Sequence, residues 1–136
     1  MASDAITLRI PHDKPFHGVA RLVVGGLAAR LDLTYEHLED LQLALATVLE
    51  NDAYLTGSDV TVKLSVNPDS VGMVIGPLQD EQVRADLQDD AGEGISLRRL
   101  LSTLVDDVGV DPGDGGAWLR LEKRVPMKRP EPKGTP

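Results

Sequence analysis

The sequence predicts an α+β two-layer sandwich in which helices pack on one face of a mixed, largely antiparallel β-sheet. Three observations predict this fold. Two apolar-periodic helical segments follow a first strand, an alternating hairpin stands in the middle of the chain, and a third helical segment precedes two final strands. Helices clustered in this way, beside strands paired mostly as hairpins, favour one helical layer over one sheet. A chain of 136 residues is long enough for one such domain with its own core.

The N-terminal part predicts a strand and a helix. Apolar and polar side chains alternate from Ile6 to Ile10, and Pro11 ends the run, as is typical of a strand at a sheet edge. Asp13 can cap a helix over Lys14–Leu31. The larger apolar residues of this helix recur at helical spacing and are expected to face the core: Val19, Leu22, Val23, Leu27 and Leu31.

A second helix is expected after Thr34, which caps it with Glu36 and Glu39 in the opening turns. It should end near Asn51. Its apolar residues form one stripe that should pack on the sheet: Leu38, Leu41, Leu45, Val48 and Leu49.

A hairpin follows, since residues 60–66 alternate, residues 67–70 have turn chemistry and residues 71–75 are again strand-like. Residues 76–92 carry five acidic side chains before Gly92 and few apolar ones, so they are interpreted as a mobile, solvated excursion with room for a short helix.

The C-terminal part predicts a third helix, a short strand over 108–110, a turn over 111–116 and a last strand over 117–125. The stripe of the third helix comprises Leu97, Leu100, Leu101, Leu104 and Val105. Residues 126–136 are rich in proline and lysine and are expected to be a disordered tail, which leaves residues 1–125 as the folded domain.

Composition excludes several classes of function. The chain has no cysteine, so it holds neither disulfides nor thiolate metal sites, and we expect a cytoplasmic protein without a signal peptide or membrane span. A formal net charge of -8 argues against a nucleic-acid surface. The residues His12, His17 and His37 lack metal-ligand spacing and are interpreted as surface or satisfied histidines.

The most informative motif is Ala91-Gly92-Glu93-Gly94-Ile95, where two glycines open the third helix. Free backbone N–H groups and the positive end of the helix dipole favour phosphate there, and glycine lets a ligand come close. By itself, Gly-x-Gly before a helix is more often a plain turn.

The order of the elements, together with the residues that they contain, resembles the serine-kinase anti-sigma factors of bacteria. These form the RsbW-like branch of the Bergerat-fold (GHKL, histidine-kinase-like) ATPases. The resemblance spans Ile6 to Val125. It is carried by residues 40–53 of the second helix, by Gly92-Glu93-Gly94-Ile95 at the second glycine box, by residues 104–108 and by the Gly-led strand 115–121.

The resemblance implies a catalytic pair on the second helix, in which a Glu acts as general base and an Asn four residues later holds Mg²⁺ on the ATP phosphates. Here Asn51 stands at the Asn position, but Thr47 stands where the Glu belongs. Threonine cannot accept a proton at neutral pH. Glu50 is a substitute base only if the helix shifts register, because adjacent residues project about 100° apart. Asn51 has an equally good explanation as a left-handed helix cap.

The resemblance also implies an adenine-reading Asp after the second hairpin strand. Gly76 stands there, and Asp80 is the nearest substitute. The nucleotide contacts that remain implied are Asn51, Gly92, Gly94 and Ile95. The acidic residues before Gly92 would repel a triphosphate unless a metal ion screened their charge.

The first hypothesis for function is therefore an anti-sigma-type regulator with weak or lost ATP binding, which recognises a sigma factor or a STAS-type antagonist through its helical face or a dimer surface. The resemblance also allows a homodimer. The second hypothesis is an active ATP-dependent serine kinase that phosphorylates such an antagonist. A third is an interaction domain unrelated to sigma factors, because fold does not fix function.

Overall fold

A computed structural model describes residues 4–31, 33–88 and 96–125 of the chain. None of the helices within these ranges is both long and apolar enough to cross a membrane. In chain order the elements are β1 (Asp4–Pro11), α1 (Lys14–Leu31), α2 (Tyr35–Leu49), a 3₁₀ turn (Asp52–Tyr54), β2 (Asp59–Asn67), β3 (Ser70–Leu78), α3 (Asp80–Gln88), α4 (Leu97–Leu104), β4 (Asp107–Gly113) and β5 (Gly116–Arg124).

The strands form one sheet in the order β1-β2-β3-β5-β4, and every neighbouring pair is antiparallel. The predicted hairpin is β2–β3, and the predicted edge position of β1 is confirmed. Helices cover one face of this sheet, so the predicted α+β two-layer sandwich is confirmed, and the arrangement is consistent with a GHKL-type ATPase fold.

The two faces of the sheet follow from alternation along the strands. On β2, Val62 and Leu64 are buried towards the helices and lie opposite Ile75 and Met73 of β3. Lys63, between them, lies on the other face, where its ammonium is 5.2 Å from the ring centroid of Trp118. The core therefore sits between the sheet and the helical layer.

Helix α2 forms as its cap and stripe predict. The Thr34 hydroxyl oxygen accepts a hydrogen bond from the His37 N–H at 3.1 Å and satisfies one of the free amides of the first turn. Of the predicted stripe, Leu38 is partly buried and the other four residues are fully buried; these four are Leu41, Leu45, Val48 and Leu49.

Helix α1 has the predicted bounds, but its predicted core face is right only for Val23, Leu27 and Leu31, which pack against the core, and wrong for Val19 and Leu22. Its buried residues are His17, Ala20, Val24 and Ala28, whereas 75% of Leu22 is exposed. Small side chains on the inner face let α1 lie close to α2. The apolar side chains of Phe16, Val19 and Leu22 are exposed on the outer face of the helix.

After residue 75 the structure contains the short helix that the sequence prediction allowed, α3, but the prediction that the described part of this segment is solvated is wrong. β3 continues to Leu78, and α3 buries Val83 and Leu87 in the core. The last turn is narrower than predicted, because β4 extends to Gly113. Residues 126–136 lie outside the described ranges, so the tail and its boundary stay a prediction.

Candidate functional site

The residues that the resemblance assigns to catalysis lie at the C-terminal end of α2. The helix ends at Leu49, Glu50 is its C-cap with φ −87° and ψ 0°, and Asn51 begins the 3₁₀ turn with φ −100° and ψ 104°. Asn51 is therefore outside the helix. The four-residue spacing from Thr47 to Asn51 does not place both side chains on one helical face, since that argument needs the helix to continue.

Thr47 lies in the last turns of α2 and is partly buried. Its hydroxyl donates a hydrogen bond to the backbone carbonyl of Leu43, with 2.8 Å between the oxygens. This bond to the preceding turn is the ordinary way in which a helix accommodates threonine. At the position of the general base, the chain thus carries a hydroxyl that is engaged with its own backbone.

Asn51 is exposed and has a structural role. Its side-chain oxygen accepts a hydrogen bond from the Ala53 N–H at 3.0 Å and caps the 3₁₀ turn. The expectation that Asn51 closes α2 in the left-handed conformation is wrong, because its φ is negative and Glu50 is the C-cap. Asn51 caps the element that follows it.

Glu50 faces a different part of the molecule from Asn51. Its exposed side chain lines a cleft of about 420 Å³ together with Lys14, His17, Gly18 and Arg21 of α1. The two residues that would form a substitute base and a metal ligand therefore diverge at the end of α2.

Gly76 lies in β3, on the sheet face opposite the helices. A Cβ atom there would lie 2.5 Å from Cδ2 of Trp118, so an aspartate at this position would require the indole ring to move. The alternative carboxylate, Asp80, accepts a hydrogen bond from the Arg84 guanidinium at 2.6 Å within the first turns of α3. Gly76 thus has no carboxylate for an adenine amino group, and the Asp80 carboxylate is paired with Arg84.

A buried polar pair next to Asn51 was missed from the sequence. Tyr54 is 4% exposed, and its hydroxyl donates to the Asp86 carboxylate at 2.6 Å. Burial, and secondly the hydrogen bond and charge of Asp86, raise the pKa of Tyr54, while a hydrogen bond from Asn51 acts in the opposite direction. The pair ties α3 to the 3₁₀ turn. No periodic signal marked it, because Tyr54 is in a connection and Asp86 is in an acidic run.

The glycine box Gly92, Gly94 and Ile95 lies outside the described residues, so its contact with phosphate stays a prediction. The helix that follows begins at Leu97, and the Ser96 hydroxyl oxygen accepts from the Arg99 N–H at 3.2 Å as its N-cap.

These positions test whether the described residues fit Mg-ATP. The Thr47 hydroxyl and the Asn51 oxygen are both engaged with backbone, and Trp118 fills the space beside Gly76. Over residues 4–31, 33–88 and 96–125, no three Asp, Glu or His side chains converge as metal ligands would. In the described residues the Thr47 and Asn51 oxygens and the space beside Gly76 are already occupied, and no catalytic step is derived through this site.

Comparison with known proteins identifies relatives over most of the chain. The chain is 38% identical to the serine-protein kinase RsbW of Oceanobacillus iheyensis, over 90% of this chain and 87% of the relative. It is 30% identical to RsbW of Bacillus pumilus, over 82% of this chain and 81% of the relative. It is 27% identical to RsbW of Bacillus subtilis, over 83% of this chain and 81% of the relative. No protein-family model matches the chain. The length and level of the similarity to these relatives show that this chain belongs to the RsbW family.

Proposed function

We propose that this protein is an anti-sigma-type regulator of bacterial transcription that acts by binding a protein partner, and that its ATP binding is weak or lost. The partner class is a sigma factor or a STAS-type antagonist. The observation that carries the proposal is Thr47, whose hydroxyl donates to the carbonyl of Leu43 at the position of the general base. A hydroxyl bound in this way has no basic group to take a proton from an attacking serine.

The helical layer supports the binding half of the proposal. The outer stripe, defined as Phe16, Val19 and Leu22 of α1, is 41%, 40% and 75% exposed. On α2, Leu43 is 51% exposed and lines a cleft of about 330 Å³ between the two helices. Exposed apolar side chains that share one face are typical of a protein-binding surface.

Binding of candidate partners tests this proposal. Purified sigma factors and STAS-domain proteins are immobilised one at a time, and the wild-type chain is compared with Leu22→Asp and with Ser102→Asp. Ser102 is exposed on α4, so its variant adds the same charge away from the outer stripe. We expect Leu22→Asp to lower the affinity at least about tenfold and Ser102→Asp to leave it unchanged. Failure of every candidate to bind, or equal effects of the two variants, would contradict the proposal.

The alternative function is an active serine kinase, which the names of the relatives favour. In that case Glu50 would have to act as the base. We expect no transfer of labelled phosphate from Mg-ATP to a bound STAS-domain protein. Transfer that Glu50→Gln abolishes would favour the kinase instead.

The proposal also covers the boundary of the folded domain and the number of chains in the assembled protein. We propose that residues 1–125 form the folded domain and that residues 126–136 are a tail, and that two copies of the chain associate. Sedimentation velocity and circular dichroism of the full chain and of a variant ending at Val125 test both: each protein should sediment as a dimer of its own chain mass, and the two should have the same helix and strand content.

A further inference from the structure

One cleft of the molecule is lined by none of the residues implied as nucleotide contacts and has an unusual lining. It is formed by Lys14, His17, Gly18 and Arg21 on the first two turns of α1 and by Glu50 at the end of α2, and its volume is about 420 Å³. Residues 14, 17 and 21 follow the spacing of one helical face, so their three side chains line the same side of the cleft.

His17 is the most informative member of this cleft. It is 8% exposed, and within the described part of the chain neither of its ring nitrogens has a hydrogen-bond partner. A neutral imidazole carries one donor and one acceptor, and leaving both unpaired in a buried position is costly. The sequence interpretation of His17 as a surface or satisfied histidine is therefore wrong. A polar ligand in the cleft would supply what the ring lacks.

The charges around His17 indicate an anion. Lys14 and Arg21 form no ion pair with any described residue, and their side chains flank the ring along α1. An ammonium, a guanidinium and an imidazole N–H can donate to three different oxygens of a tetrahedral group. The backbone of α1 adds few donors for such an anion, because the N–H groups of Phe16 and His17 already donate to the carbonyl of Asp13.

We propose that this cleft binds a protonated phosphate group, either inorganic phosphate or a small phosphate monoester. Lys14, His17 and Arg21 donate to its oxygens, and the Glu50 carboxylate accepts the hydrogen bond of its P–O–H group. Glu50 makes the proposal specific. A carboxylate repels an oxyanion that has no proton, such as sulfate, but binds one that can donate. This inference does not depend on the proposed function, since it involves neither Asn51 nor the glycine box.

The test uses the full chain and the ¹H–¹⁵N signals of its histidine rings at about pH 6, where a phosphate monoester keeps its proton about half of the time. Inorganic phosphate, phosphoserine and sulfate are titrated separately, and His12 and His37 are internal references. We expect phosphate to shift the His17 ring signals with a Kd of about 1 mM and sulfate to bind about tenfold more weakly. Phosphoserine binding as tightly as phosphate assigns the site to esters, and binding of phosphate alone assigns it to the free ion.

Two variants separate this site from unspecific attraction. Arg21→Gln should weaken phosphate binding about tenfold, whereas Arg30→Gln, which removes the same charge from the last turn of α1, should not. Glu50→Gln should raise the affinity for sulfate until it is within about threefold of that for phosphate. His17 signals that neither phosphate nor phosphoserine moves would overturn the proposal, as would wild-type protein that binds sulfate as tightly as phosphate.

Discussion

Replacing Leu45 by alanine is expected to destabilise the protein strongly. The Leu45 side chain is 0% exposed and lies in the middle of the core stripe of this helix. The substitution removes three buried carbon atoms. At about 0.8 kcal/mol of burial free energy for each carbon, their loss lowers the free energy of unfolding by about 2.4 kcal/mol. The cavity left behind raises the loss in the free energy of unfolding to about 3 to 4 kcal/mol.

Urea denaturation followed by circular dichroism measures this loss. With a slope near 2 kcal/mol per molar urea, the midpoint should fall by about 1.5 to 2 M. Leu43→Ala is the matched control, because Leu43 stands on the same helix and is 51% exposed; it should cost less than about 1 kcal/mol. Equal losses for the two variants would refute the assigned phase of α2 and the packing derived from it.

Three further predictions test the fold and the candidate site. Val24→Ala should cost about 2 kcal/mol and Leu22→Ala less than about 0.5, as measured by urea denaturation, because α1 buries Val24 and exposes Leu22. Tyr54→Phe should lower the free energy of unfolding at neutral pH by about 1 kcal/mol. Because the pKa of Tyr54 is raised in the folded state, the stabilisation by its hydroxyl is present below the unfolded pKa of about 10 and fades at higher pH. The melting temperatures of the two proteins should therefore converge as the pH is raised above about 10. Gly76→Asp should lower the free energy of unfolding by about 1 to 3 kcal/mol, because the new Cβ atom meets the Trp118 ring. The variant should bind ATP no more tightly than the wild type in calorimetry, and tighter binding would show that the Trp118 ring moves aside.

The elements with strong local signals could be predicted from the sequence. Helix α2 has a capping Thr34 and an uninterrupted apolar stripe, so its start, its phase and its buried face follow from spacing alone. The hairpin β2–β3 has alternation on both sides of turn residues, and its pairing follows equally directly.

Other features depend on tertiary contacts that spacing does not encode. The inner face of α1 is lined by Ala20, Val24 and Ala28, because close packing against α2 favours small side chains over the larger apolar residues beside them. The Tyr54–Asp86 bond joins residues 32 positions apart. The end of α2 at Leu49, rather than at Asn51, follows from Asn51 capping the next turn, and this shift of two residues changes how the candidate site is interpreted.

The most direct test of the account is isothermal titration of the full chain with Mg-ATP. Loss of one charge-assisted hydrogen bond in a base pocket costs about 1.5 to 3 kcal/mol, or roughly ten- to a hundredfold in affinity. We expect the engagement of the Asn51 side-chain oxygen with the Ala53 N–H to weaken Mg²⁺ binding at the phosphates as well. The account predicts a Kd above about 100 μM or no measurable heat. A low-micromolar Kd that Asn51→Ala abolishes would contradict it and would restore a working nucleotide site.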